Sequence, residues 1–487
     1  MLIYPKKVAG QSGNVLRPTI KLKTFEPVGL YTAKYLHGRY KKRPHSYIMI
    51  AMLNSTTGFA AGKSSTNGTS TGRRIHYGIW VLIVGILTVF GSIGLGRFAI
   101  GMIIPEMGIA LSLTNTQLGL IVSGTFFGYL ASTAVSGHLS SLYGPKKVIA
   151  GSMFLIVFGM LMASSATGFG MAVAGQLLIG IGTGGSNVPT MGLVTRWYAR
   201  KFRGTASGLM TVGSGLGFAL AGTLVPFLIA FYGTDGWRAS WFYLGAIVLA
   251  IAFLGVLVFR NSPGEAGHEP VGGADVAPDV SRVESLLAAS RLNTKALYRS
   301  RSLAKLGATY FMYGFSYVIF TTFFAKYLIE EVGFSAARAG GLWSTIGAVS
   351  IVSGFLWGML SDKVGRKQVL FIVYLLQGLA LAALSFTKDP GLVVAVSLVY
   401  ALTLWSVPAI MAATCADYVG GVLAPAAFAI VTLYFGAGQV ISPWISGYIV
   451  DVTGNFSVPF MVSAAAGFAG AALSLMLSER VDMTAKR

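Results

Sequence analysis

Gly137-His138-Leu139-Ser140-Ser141-Leu142-Tyr143-Gly144-Pro145-Lys146-Lys147 and Gly358-Met359-Leu360-Ser361-Asp362-Lys363-Val364-Gly365-Arg366-Lys367 are two copies of one pattern, each set between two long apolar runs. Gly137 matches Gly358 and Gly144 matches Gly365, both 221 residues apart in a chain of 487. Asn187-Val188-Pro189 repeats as Ser406-Val407-Pro408 at an offset of 219, and Gly213-Ser214-Gly215 as Gly436-Ala437-Gly438 at 223. Three landmarks in register, at about half the chain length, signal two homologous bundles of helices.

The composition places those bundles in lipid. Hydrophobic residues make up 54% of the chain and charged residues 11%, with a mean hydropathy of +0.68. A water-soluble fold of this size could not cover its surface with so few charges. Runs long enough to cross about 30 Å of hydrocarbon as helices lie near 78–106, 117–139, 147–166, 170–193, 205–232 and 239–259. Six more lie near 303–329, 337–361, 368–387, 391–415, 422–450 and 456–477. With the N-terminus inside, 32 of the 37 lysines and arginines fall on the cytoplasmic side, and only Arg238, Arg338 and Lys388 on the other. The positive-inside rule thus predicts cytoplasmic termini and accounts for the net charge of +21 without nucleic acid.

The expected class is an all-α polytopic membrane protein of twelve transmembrane helices in two pseudo-symmetric six-helix bundles. Residues 77–259 form the first bundle and 303–477 the second, joined by a polar cytoplasmic linker at 260–302. A basic N-terminal arm, 1–76, precedes them with a flexible Ser/Thr/Gly-rich stretch, and a tail, 478–487, follows. The arm lacks a secretory signal pattern, and Met52 is an alternative start. The lone Cys415 excludes a disulfide framework and a cysteine metal cluster. No metal or cofactor is called for. Of the five histidines, none is spaced with a carboxylate as a metal or nucleophile site requires, which argues against an enzyme.

The spacing G-x-L-S-x-x-x-G-x-[RK]-[RK] resembles the loop signature of the major facilitator superfamily, and the resemblance covers about residues 77–477. It implies a transporter working by alternating access of two rocking halves in the plasma membrane, by default a monomer. Gly144 and Gly365 suit a tight or positive-φ turn between helices. Lys146, Lys147, Arg366 and Lys367 then sit against the anionic cytoplasmic leaflet. In the superfamily the acidic residue of this loop is a latch to the opposite half. Asp362 holds that position, while Ser141 replaces it in the first copy. Two other features depart from its proton-coupled and drug-exporting members. Gln176 stands where an arginine would precede the run Gly180, Gly182, Gly184 and Gly185, and Ala221-Gly222 replaces a Gly-Pro pair.

Arg97 falls about 14–17 Å inside the outer end of the first span, near the bilayer midplane. An arginine there costs about 2.5–3.5 kcal/mol on insertion scales unless it faces the bundle or water. Gly94, Gly101 and Gly108 provide a stripe for close helix approach beside it. The resemblance makes the first helix of each half cavity-lining and Arg97 a substrate-contacting cation; satisfying backbone carbonyls is its alternative role. Tyr310, Tyr313 and Tyr317 share one face of the seventh span, offering hydroxyls to a ligand or packing. Asn187, Ser406 and Gln439, with Gln176, are uncharged polar groups that either contact substrate or join helices.

Carboxylates avoid the middles of the spans; Glu106, Asp417 and Asp451 lie towards ends. Glu106 is the candidate for proton coupling. It also nearly coincides with Lys326 under the repeat, so the two are a candidate outer gate pair, with snorkelling the alternative for Lys326. The ladders Gly124, Gly128, Ser132, Ser136 and Gly213, Gly217, Ala221 predict tight helix packing. A cationic cavity without a midplane carboxylate suits a small organic anion, exchanged or facilitated. The alternatives are a neutral or amphipathic solute moved with protons, and a sensor of the same fold.

Overall fold

The computed structural model describes residues 76–273 and 297–478. The arm, most of the linker and the C-terminal tail, with the readings placed on them, lie outside the described residues. Twelve helices follow the apolar runs: α1 (Tyr77–Ala110), α2 (Asn115–Tyr143), α3 (Pro145–Ser164), α4 (Phe169–Arg196), α5 (Arg200–Tyr232) and α6 (Gly236–Val258). After the linker come α7 (Arg301–Glu330), α8 (Ala336–Val364), α9 (Arg366–Phe386), α10 (Pro390–Gly420), α11 (Leu423–Thr453) and α12 (Ser457–Leu475). Most are apolar enough to cross a membrane by length and composition. The chain is a multi-pass membrane protein. α7 is diluted by Tyr310, Tyr313, Ser316, Tyr317, Thr321 and Thr322, all of them buried in the protein.

Local chemistry sets the helix ends. The Thr114 side chain caps α2 in a reciprocal box with Gln117, and Ser300, Ser335 and Asp389 cap α7, α8 and α10. Between α2 and α3 the chain turns at Gly144 with φ 82°, and Pro145 starts the next helix, where its missing N–H costs nothing. The second copy turns at Gly365 with φ 113°. Each glycine N–H bonds the carbonyl four residues back, Ser140 or Ser361. The repeated loop is thus one device used twice, as the spacing predicts.

The glycine ladders seat the helices against each other. A Cβ on Gly217 would stand 2.6 Å from Gly94 Cα, and one on Gly213 would strike the Ile86 carbonyl, so α5 lies directly on α1. In the equivalent pair of the second half, α11 on α7, a Cβ on Gly438 would stand 2.6 Å from the Phe311 carbonyl. Gly128 seats α2 on α4 at the Leu177 carbonyl, while Gly124 is in ordinary contact with Val173.

The two motif loops, residue 76, the linker ends and residue 478 share one side, called here the terminal side; the opposite side is distal. Between the halves, close approaches gather on the distal side. Gly119 of α2 meets the Pro443 carbonyl of α11, Gly447 meets the Asn115 carbonyl, and a Cβ on Gly222 of α5 would stand 2.6 Å from the Gly340 carbonyl of α8. The first part of the linker folds back on the first bundle. Val271 donates to the Trp197 carbonyl at 2.8 Å and accepts from Ala199 N–H at 3.0 Å.

Candidate functional site

Arg97 stands just past a break in α1. Residues Phe90–Leu95 form a π-helical segment, Gly96–Phe98 a single short turn, and α-helix resumes at Ile100. A π-bulge inserts an extra residue per turn and re-aims the side chains that follow it. The Phe90–Leu95 segment contains Gly91 and Gly94, and α5 packs against it through Gly217.

Arg97 is 6% exposed. Its Nη2 donates to the Tyr317 hydroxyl of α7 at 2.8 Å, a bond between the two halves. Its guanidinium carbon lies 4.4 Å from the ring centre of Phe126 and 4.5 Å from that of Tyr129, both on α2. Nε has no partner. No carboxylate pairs with Arg97 among the described residues. Two aromatic faces offset part of the desolvation of the charge, at about 2 kcal/mol or more each when water is excluded. A bare aromatic box lacks the anionic oxygens that would match the planar donor fork.

Tyr317 extends the cluster into the second half. The Gln439 amide of α11 also hydrogen-bonds its hydroxyl, with Nε2 as donor, leaving Oε1 buried without a partner. The Tyr317 ring stacks on Tyr313 at 4.9 Å and Phe435 at 5.9 Å, with Trp405 edge-on at 6.1 Å. Arg97, Tyr317 and Gln439 are therefore in one cluster. Tyr313 joins it by its ring alone, because its hydroxyl donates to the Leu404 carbonyl. Tyr310 continues the stack on Phe435 at 4.3 Å. Ser406 bonds the Thr403 carbonyl within its own turn. Gln176 accepts from Thr125 at 2.8 Å, tying α4 to α2. Asn187 is part-buried, its Oδ1 is unpartnered, and no described contact joins it to Arg97.

A second polar cluster closes the distal side. Asp451 of α11 accepts four bonds from the start of α2: Asn115 N–H and Nδ2 at 2.9 Å each, Thr116 N–H at 2.7 Å and Thr116 Oγ1 at 2.5 Å. Its carboxylate thus caps a helix of the other half, where the helix dipole favours negative charge. Lys326 of α7 donates to Asn115 Oδ1 at 2.5 Å and pairs with Glu330 at 3.5 Å. Lys326 reaches across the halves to Asn115 and not to Glu106, the partner named for it from the sequence. Glu106 is half-buried and has no charged partner among the described residues. The amide of Asn115 stands at the mouth of α2 opposite α7, so it meets the ammonium there. Snorkelling does not describe Lys326, which is 9% exposed.

At the terminal side Arg366 bonds Asp362 at 2.5 Å, Asp417 at 3.0 Å and Ser361 at 2.6 Å, all in the second half. In this arrangement Asp362 latches to no helix of the first half among the described residues. Lys146 N–H bonds Asn261 Oδ1 at 3.1 Å. Gly137 and Gly358 stand in open surroundings.

The sequence model described as Major Facilitator Superfamily matches residues 86–421 and 306–487. The chain belongs to the major facilitator superfamily. A probable sulfoacetate transporter of Cupriavidus necator is 27% identical over 418 residues, covering 82% of this chain and 93% of that protein. The hexuronate transporter of Bacillus subtilis is 25% identical over 390 residues, covering 76% and 87%. Among solved structures, a bacterial homolog of the human lysosomal transporter Spinster, inward-facing and unoccupied, superposes with a TM-score of 0.68. It is 15% identical, and the match covers 84% of this chain and 98% of that one. As a member of the superfamily the chain is a membrane transporter of small solutes and not an enzyme.

Sequence reasoning did not find Phe126, Tyr129, Asn115 or Asp451. The two rings lie in an apolar helix where nothing distinguishes a cation-facing aromatic from a packed one. Asp451 did carry a signal: a carboxylate at the end of a superfamily α11 needs a partner, and Asn115-Thr116 opens the helix that the repeat places opposite it.

Proposed function

We propose that this transporter carries a small organic anion by alternating access, with Arg97 taking the anionic group. The observation that carries the reading is a buried guanidinium with an unpartnered Nε and no carboxylate in contact among the described residues. A neutral solute gives such a group nothing to neutralise it; a carboxylate or sulfonate supplies two oxygens to its fork. The relatives named for sulfoacetate and hexuronate transport are consistent with this class. Tyr317 and Gln439 border the site in the same cluster, Tyr313 backs it by stacking, and Asn187 and Ser406 are outlying candidates.

Placed in the plasma membrane with both motif loops cytoplasmic, the distal side faces outward, and this arrangement is closed to the outside by Asp451, Asn115 and Lys326. A thermal-shift panel of carboxylates, sulfonates, phosphates, sugars and cations on the purified protein tests the reading. A ligand at 100 times its dissociation constant adds about 2.7 kcal/mol of stability. Stabilisation confined to anions and lost in Arg97→Gln is expected. Stabilisation by neutral compounds that survives the substitution contradicts it and turns attention to Glu106, which is half-buried on α1 without a charged partner among the described residues.

A further inference from the structure

We infer that the Tyr317 hydroxyl is a stand-in ligand: it occupies Arg97 in the empty transporter and is displaced by the substrate's anionic group. The inference rests on the reading of Arg97 as the anion contact and adds a competitor to it. Tyr317 supplies the hydrogen-bonding oxygen seen at the guanidinium, from the other half of the molecule, at 2.8 Å and with both side chains buried. A phenol oxygen is a neutral acceptor. The guanidinium alone carries charge in that bond; a carboxylate or sulfonate adds the opposite charge and a second oxygen for the planar fork, so an arriving anion wins the site.

The arrangement around the hydroxyl points the same way. A phenol has one proton to give, yet the hydroxyl receives Arg97 Nη2 and Gln439 Nε2 and has no acceptor of its own. Turning the Gln439 amide through 180° exchanges two nearly indistinguishable ends. The Tyr317 proton then goes to the amide oxygen, and Nε2 is left free. Within this cluster the buried groups without partners among the described residues are then Arg97 Nε–H and the Gln439 amide N–H. Both are donors, and an acceptor-only ligand satisfies both at once. The ring of Tyr317 is held by Tyr313, Phe435 and Trp405. Its hydroxyl therefore yields by movement of α7 relative to α1, and occupancy of Arg97 cuts a tie between the halves.

The test is calorimetric titration of the full-length protein in detergent with sulfoacetate and with glucuronate. If the hydroxyl competes, Tyr317→Phe binds at least one of them about fivefold tighter than the wild type, the worth of one hydrogen bond. Arg97→Gln abolishes that binding in both backgrounds. If Tyr317 instead contacts the substrate, or only packs, Tyr317→Phe binds more weakly or equally. With the Arg97 dependence intact, that result overturns this inference and leaves the anion reading standing. Binding that ignores Arg97→Gln, or absent from wild type and Tyr317→Phe alike, removes both. Should Tyr317→Phe fail to fold, Tyr317→Met, which keeps bulk without the hydroxyl, is titrated in its place. It should also bind more tightly than the wild type; equal or weaker binding overturns the inference.

Discussion

In the proposed function Arg97 takes the anion, because its environment leaves one demand unmet. The charge lies between the rings of Phe126 and Tyr129, which compensate a cation without using up its hydrogen bonds. A lysine there would keep the charge but lose the planar stacking and the two-toothed fork. Arg97→Lys should therefore weaken anion binding by about tenfold or more, within the 1–3 kcal/mol that such hydrogen bonds to charged groups contribute. Titration of that variant checks it; an unchanged affinity would show that only the point charge matters. Arg97 itself was legible in the sequence, since a lone arginine near mid-span is costly and needs a reason. Its partners were less so. Tyr317 and Gln439 stood among several polar candidates, and only the packing separates them from Ser406 and Tyr313, whose hydroxyls are given to the backbone.

Elements set where these residues can act. The π-helical stretch Phe90–Leu95 was invisible in the apolar pattern, because a one-residue bulge leaves hydropathy unchanged. At the distal end of α11 the Asp451 carboxylate joins two helices from different halves through four donors. Asp451→Asn replaces a charged acceptor by a neutral one and loses the attraction to the α2 N-terminus. The expected outcome is a larger population open on the distal side. Spin-label distances between the distal ends of α2 and α11, in a Cys415→Ala background, would report it; an unaltered distribution would show that the glycine contacts alone close that side. On the terminal side His76 caps α1 by accepting from Gly78 N–H at 3.0 Å, and its ring lies 5.5 Å from that of His268. Burial, and then the neighbouring His268, hold its pKa below the usual 6.5. The neutral form is favoured when folded. The stability it contributes is thus present above about pH 6.5 and lost as pH falls through the lower folded value. His76→Asn keeps a capping oxygen without a titrating ring, so its melting temperature should fall less than that of the wild type between pH 7 and 5. Equal losses in the two proteins would contradict this assignment.

For the whole molecule, the repeat of 221 residues predicted two bundles, and twelve helices are present because each apolar run between turn signals is long enough to span lipid. The loop glycines were legible for the same local reason, a φ that side chains resist. How the halves meet was not. Contacts such as Gly119 with Pro443 or Gly101 with Thr321 depend on which face each helix turns inward, and a helix apolar all round does not show that in its pattern. The resulting molecule is joined across its distal side and at Arg97, with Asp362 bonded within its own half. That arrangement agrees with the proposed carrier, closed on its distal side. Uptake of labelled sulfoacetate and glucuronate into proteoliposomes, comparing the wild type with Arg97→Gln, tests whether the carrier moves anions through Arg97. Saturable uptake of at least one anion by the wild type is expected, inhibited by other anions and not by neutral sugars, and reduced by at least about a hundredfold in Arg97→Gln, the roughly 2.7 kcal/mol of a lost charged contact. Uptake by Arg97→Gln at the wild-type rate and affinity would contradict it.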